Sequence, residues 1–521
     1  MRSIILLSLA CSLTLAGCSS SLKKPRIVEG IDWSLPGYVE YTPHTGMTWI
    51  WGDWKWLKEW QTFYPVEQGT GLHYAEYIIF DWADVNPSPG VYDFGYIDRK
   101  IDSIMGDSIP GLGFALWPMI YARSLVDEKK LHGTGKYEGD PMLPRWLERV
   151  EKMDSLPPWL KGKRNVAYLA DGAVAAWMDQ SAFMPALKAL VDTLGQRYGD
   201  HPGLAWVECR YNDSHWGEGG FRSGRDEIAR AEQDLDLTPE SYRRFMFDFI
   251  DLWVEAFPGQ AHKIVLNDWS HTTPGLPEHY YDVQQEILAH AVARGVGGRD
   301  GQVEVWNRYL TRGYGNYVDS SGYLVFDDSY PPVKEGRVWY TENEAYIFPG
   351  PRRTFGPAEF EEYRWFTSTM RLLQMRRNWV WIKKEACLKW PEITQYMLLN
   401  LGKTPENAPD AFCYLREGYA HTPGSGPEGT TVKNFERWLY QRDVAPDGMT
   451  RPVLEFDIRD LHQWASARGY EYKARASNLA EGQHNFYFRA DRNWFGDYSG
   501  PARLYITYFD HESTAFHVRY S

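Results

Sequence analysis

At 521 residues and 60.4 kDa, the chain is long enough for one large core domain and a smaller second one. A formal charge of −13 with no long basic run argues against a phosphate-backbone partner, so no nucleic acid is expected. Hydrophobic residues at 43% and charged residues at 24% exclude wholesale disorder and a bundle of membrane spans, leaving a soluble folded body. Aromatic residues, at 16%, exceed what a core needs and suit stacking against sugar rings.

The chain opens with Arg2 and an apolar run from Ile4 to Leu15, too short to span a bilayer and in the charge-then-apolar order of a secretory signal. Leu15-Ala16-Gly17-Cys18 then resembles the lipobox of bacterial lipoproteins. The resemblance implies a lipoprotein signal over 1–18 that is cut before Cys18, a diacylated Cys18 as the new N-terminus, a tether over 19–39, and a protein held on the outer membrane or cell surface of a bacterium. An ordinary signal with an incidental cysteine stays open. The remaining Cys209, Cys387 and Cys413 are odd in number and lack zinc-ligand spacing, so buried thiols are expected, with no metal and no cofactor.

From about residue 40 to 400, short β-type runs alternate with longer helical periods, the order of a parallel α/β sheet or barrel. Strands are expected at Met47–Trp51, Glu76–Phe80, Gly111–Trp117, Leu204–Arg210, Lys263–Asn267, Val303–Trp306, Arg337–Thr341 and Trp379–Ile382. Between them, Leu187, Leu190, Val191, Leu194 and Tyr198 repeat at helical spacing, as do Phe360, Tyr363, Phe366, Met370 and Leu373. Thr238-Pro239 reads as a helix start and Gly295 as a stop. Eight such units predict a (β/α)8 TIM barrel over 40–435, its longest loop running from Tyr121 to Asp179; a doubly wound open sheet is the competing layout. After residue 435 the alternation in Leu504–Phe509 and at Phe516, Val518 and Tyr520 predicts a small all-β, sandwich-like domain over 436–521, closed by this strand or incomplete. His421–Thr431, rich in Gly, Pro and Thr, is the expected linker.

Barrel chemistry is built at the carboxyl ends of strands, so acids there are the first candidates. After the fourth strand comes Tyr211-Asn212-Asp213-Ser214-His215-Trp216-Gly217-Glu218, and the seventh ends in Thr341-Glu342-Asn343-Glu344. Together with Phe80-Asp81-Trp82-Ala83-Asp84-Val85-Asn86-Pro87 at the second strand, these segments resemble the clan A glycoside hydrolases and related β-galactosidase-like barrels. The resemblance runs through most of residues 40–400 as scattered short motifs. It implies a glycoside hydrolase with Glu218 as acid/base on strand four and Glu342 as nucleophile after strand seven, with a carbohydrate substrate. The asparagine usual directly before the fourth-strand glutamate is Gly217 here, which leaves Glu208 as a rival; its alternative role is a structural ion pair with Arg210 or a lysine.

Two carboxyl groups are what glycosidic cleavage requires: one protonates the departing oxygen, and the other attacks or activates water on the opposite side of the anomeric carbon. Other strand ends carry polar and aromatic groups that suit sugar hydroxyls and C–H faces. They are Asp81, Trp117, Arg210 and Asn212, then Asn267 and Asp268, Trp306 and Asn307, Glu344, Trp381 and Lys383, all expected to bind substrate. Two other functions fit the same composition. A glycan-binding surface lipoprotein would need no turnover, and a polysaccharide lyase would use His215, Tyr211 and Arg210. Oligomeric state is left open.

Overall fold

The computed structural model describes residues 2–10, 33–35, 39–49, 53–120, 166–168, 174–176, 183–209, 232, 238–267, 278–300, 315–343, 361–419, 431–453, 473–496, 498, 500–509 and 517–519. Eight parallel strands close into a barrel: β1 Gly46–Trp49, β2 Tyr74–Asp81, β3 Leu112–Met119, β4 Leu204–Cys209, β5 Ile264–Asn267, β6 Gly297–Asp300, β7 Trp339–Glu342 and β8 Trp379–Ile382. Closure is made by β8 against β1, with Trp379 opposite Gly46 and Ile382 opposite Trp49, which excludes the open doubly wound sheet.

Seven strands lie where their apolar runs predicted them. The sixth does not: it is the Gly-Gly-Arg-Asp segment of β6, upstream of the expected Val303–Trp306, which lies outside the described residues. Small size is what admits this segment. A Cβ on Gly297 would stand 1.9 Å from the Val338 carbonyl oxygen, and one on Gly298 2.5 Å from the Trp339 ring. Pairing to β5 and β7 therefore needs glycine where an apolar strand would carry side chains.

Helices cover the barrel, among them α1 Leu57–Phe63, α2 Gly95–Gly106, α3 Phe183–Tyr198, α4 Pro239–Ala256, α5 Tyr281–Ala293, α6 Glu361–Gln374, α7 Lys384–Lys389 and α8 Pro391–Asn400. The capping box at the start of α4 is complete, Thr238 Oγ1 accepting from the Ser241 amide and Ser241 Oγ from the Thr238 amide. After α5, Gly295 turns the chain with φ of +87°. The periodic face of α3 is buried at Leu187, Leu190, Val191, Leu194 and Tyr198. Of the expected 121–179 loop, only the paired strands Val166–Tyr168 and Val174–Ala176 are described, and the 421–431 linker lies outside the described residues up to Thr431.

Antiparallel sheets follow, and they draw in residues upstream of the change of texture at 435. β9 Asp410–Tyr419 pairs with β10 Thr431–Arg437 and with β13 Lys473–Ser477, which pairs with β12 Thr450–Val453. β11 Leu439–Arg442 pairs with β14 Tyr487–Ala490. Leu504–Phe509 falls in β15 Ala502–Phe509, whereas 517–519 form no strand. Between β9 and β15, parallel to both, runs Arg2–Ala10, the segment expected to be the core of an export signal. The apolar residues of this segment satisfy either assignment, since hydrophobicity alone does not separate a strand from a signal. The sheet joins the barrel through Phe412, Tyr414 and Phe435, which share the main core; Tyr414 meets Phe366 of α6 with ring centres 5.4 Å apart. Cys209, Cys387 and Cys413 are buried free thiols, each pushed well above the ordinary thiol range by burial.

Candidate active site

Along a strand, residues two apart share a face, so Tyr340 and Glu342 of β7 point together into the barrel, as do Trp206 and Glu208 of β4. Deeper in the barrel, Trp206 packs on Tyr340 and Trp379 with ring centres 5.4 and 4.8 Å apart. Above this apolar layer sits a charged one. Arg299, 1% exposed on β6, pairs through Nη2 with Glu342 Oε1 and lies 3.7 Å through Nη1 from Glu208 Oε2. Glu342 and Glu208 are 1% and 0% exposed. Glu208 Oε1 accepts from the Tyr340 hydroxyl, and the Tyr77 hydroxyl stands 3.0 Å from both Glu208 Oε1 and Tyr340 Oη.

Aromatic rings enclose the guanidinium. Its carbon lies 5.5 Å from the ring centres of Trp117 and Tyr340 and 5.1 Å from that of Trp381, which adds cation–π attraction to the ion pairs. Trp117 and Trp381 meet edge to face at 5.5 Å. Burial, followed by the nearby Tyr340 and Glu208, pushes the Tyr77 hydroxyl well above the ordinary phenol range, so it stays protonated as a donor. The turn after Glu342 is fixed from outside: the Asn343 amide donates to the Trp381 carbonyl at 2.7 Å, and its side chain donates to Ser368 Oγ at 2.7 Å. A carboxylate at a barrel strand's carboxyl end, held by a guanidinium that aromatic rings enclose, can serve as nucleophile or as electrostatic stabiliser. Among the described residues, no group of three or more His, Cys, Asp or Glu is placed to hold a metal ion.

Of the residues expected from sequence, Glu342, Trp117 and Trp381 come together around Arg299. Asp81 is buried at the end of β2, Asn267 ends β5, and Lys383 is half-buried at the start of α7. Glu218, Arg210, Asn212, Asp268, Trp306, Asn307, Glu344 and Cys18 lie outside the described residues. Arg210 lies outside the described residues, and Glu208 is ion-paired with Arg299, a partner other than the Arg210 or lysine that its structural alternative named. Its partner was not legible because β4 and β6 are separated by β5 and nearly a hundred residues of chain. Sequence reasoning missed Arg299, Tyr77 and Tyr340. Counting back two from Glu342 finds Tyr340, and the same parity along β2 finds Tyr77 between Ala75 and Ile79. Nothing apolar marks β6, so Arg299 carried no signal.

No protein-family model matches the chain, and no curated protein matches it. Solved structures similar to it include the catalytic domain of β-amylase from Paenibacillus polymyxa, with TM-score 0.38 and 11% identity over 68% of this chain and 97% of that one. Another is GH5_18 from Streptomyces cattleya, with TM-score 0.33 and 14% identity over 59% of this chain and 61% of that one. The Prevotella bryantii endo-β-mannanase/endo-β-glucanase gives TM-score 0.34 and 11% identity over 77% of this chain and 49% of that one. At these scores the likeness carries no argument about the site. The class defined by the strand pairing is a closed (β/α)8 barrel followed by antiparallel sheets.

Proposed function

We propose that the chain is a glycoside hydrolase that acts with retention on a polysaccharide or oligosaccharide, with Glu342 as nucleophile and Glu218 as acid/base. The observation that supports it most is Glu342 itself: an acid at the carboxyl end of β7, buried, on a guanidinium that the indoles of Trp117 and Trp381 flank. The adjacent Arg299 charge favours the ionised carboxylate that attack requires.

In the first step the Glu218 carboxyl gives its proton to the glycosidic oxygen as the bond to the anomeric carbon breaks, and a Glu342 oxygen bonds to that carbon. In the second, Glu218 takes a proton from water, the water oxygen bonds to the anomeric carbon, and Glu342 leaves as carboxylate. Trp381, half-buried at the end of β8, gives a sugar face an apolar surface. The lipobox-like Leu15–Cys18 supports placing this chemistry at a bacterial envelope on a lipid anchor.

Release of nitrophenolate from a panel of 4-nitrophenyl glycosides tests the assignment. Glu342→Gln and Glu218→Gln should each lower kcat about a thousandfold or more. Oligosaccharide affinity should stay within about threefold, because the charge and not the shape is removed. Wild-type turnover retained in Glu342→Gln contradicts the proposal, and binding without turnover by the wild type would favour a glycan-capture protein.

A further inference from the structure

We infer that Glu208 is a positioning residue, acting through Arg299 on Glu342, and not the proton donor to the leaving group. The inference rests on the hydrolase reading above, and geometry carries it. A proton donor must turn an oxygen toward the glycosidic bond. Glu208 turns Oε1 to the hydroxyls of Tyr77 and Tyr340 and Oε2 toward Arg299, and its side chain is wholly buried. Tyr340 stands two residues before Glu342, about 7 Å lower along the strand. Glu208 thus reaches into the layer beneath the acid that faces the mouth.

What Glu208 does follows from the shape of its neighbour. A guanidinium is a flat fork: Glu342 engages one terminal nitrogen, and Glu208, within ion-pair reach of the other at 3.7 Å, biases its plane by charge attraction. With Arg299 held, the oxygen of Glu342 that it engages is Oε1, and Oε2 is the oxygen for attack. The second carboxylate also offsets part of the Arg299 charge, leaving Glu342 more basic than it would be beside the cation alone. Among the described residues, the charged and titratable groups of this cluster are Tyr77 from β2, Glu208 from β4, Arg299 from β6 and Tyr340 from β7; β3 and β8 present Trp117 and Trp381.

The experiment compares wild type, Glu208→Gln and Tyr340→Phe on matched 4-nitrophenyl and 2,4-dinitrophenyl glycosides across pH, with a ¹³C titration of the Glu342 carboxyl. In Glu208→Gln, kcat should fall about ten- to a hundredfold for both leaving groups alike. The acidic limb of kcat/KM and the Glu342 titration should both move to lower pH by about half a unit or more, with the alkaline limb unmoved. Tyr340→Phe should shift both the same way by less, and it carries the test if Glu208→Gln does not fold. Two results overturn the inference. One is a variant that spares the dinitrophenyl substrate and loses the alkaline limb, which makes Glu208 the proton donor. The other is a lowered melting temperature with rates, both limbs and the titration unchanged, which makes it structural only. If the wild type hydrolyses nothing, the hydrolase reading fails, while the titration still shows whether Glu208 acts on Glu342.

Discussion

A guanidinium between two carboxylates inside a closed barrel loses much of its hydration, and such clusters rarely stabilise a fold relative to apolar packing. Arg299, Glu208 and Glu342 are therefore better explained by what they hold in place than by stability. Removing the cation should expose this. Arg299→Met leaves two buried acids facing each other and should destabilise the protein by about 3 to 5 kcal/mol in urea unfolding while abolishing turnover. Arg299→Lys keeps the charge without the fork and should recover much of the stability but little of the rate. An Arg299→Met variant as stable and as active as wild type would remove any role for the cluster.

Individual elements show why part of this was legible and part was not. Apolar runs such as those of β4 and β8 announce buried parallel strands, because both faces of such strands are covered. An acid directly after such a run sits near a strand end, and Glu342 is preferred to Glu344 because the clan A resemblance places the nucleophile directly after the threonine. β6 gives no such sign: its glycines exist to let β7 approach, and a residue without a side chain has no hydrophobic period to read. The cation that organises the site sits on the one strand whose sequence hides it. β2 offers a different test, on its outward face. Burial raises the Glu76 carboxyl to about 8, with Lys100 of α2 opposing. Because its folded value lies above the ordinary 4.5, the stability associated with its protonated form is complete below about pH 4.5 and is lost as pH rises toward 8. Glu76→Gln should flatten that loss, raising stability at pH 8 by a few kcal/mol at most and changing little at pH 4. Parallel melting curves for the two proteins across that range would contradict the assignment.

At the scale of the whole molecule, the barrel and the sheets are tied by charge as well as by their shared core. Trp438, at the turn between β10 and β11, lies between two arginines, with Arg376 at 5.1 Å and Arg437 at 4.1 Å from its ring. Arg437 donates to the Asn400 side chain and carbonyl at 2.9 and 2.8 Å, and Arg376 pairs with Asp328. The N-terminus bears on this body directly. Export with lipidation at Cys18 would remove Arg2–Ala10 and unpair the facing edges of β9 and β15. The envelope proposal predicts that protein from the membrane fraction has an intact mass starting at an acylated Cys18; an unmodified mass starting at Met1 would contradict it.

The central claim, that Glu342 faces the barrel mouth as the attacking carboxylate, is tested most directly by trapping. The glycoside that is turned over, remade as its 2-deoxy-2-fluoro 2,4-dinitrophenyl form, should stop the reaction after the first step. Peptide mass spectrometry should then find one fluorosugar on Glu342. A label on Glu208 or any other acid, or turnover of the natural glycoside with inversion and no label at all, would contradict the account.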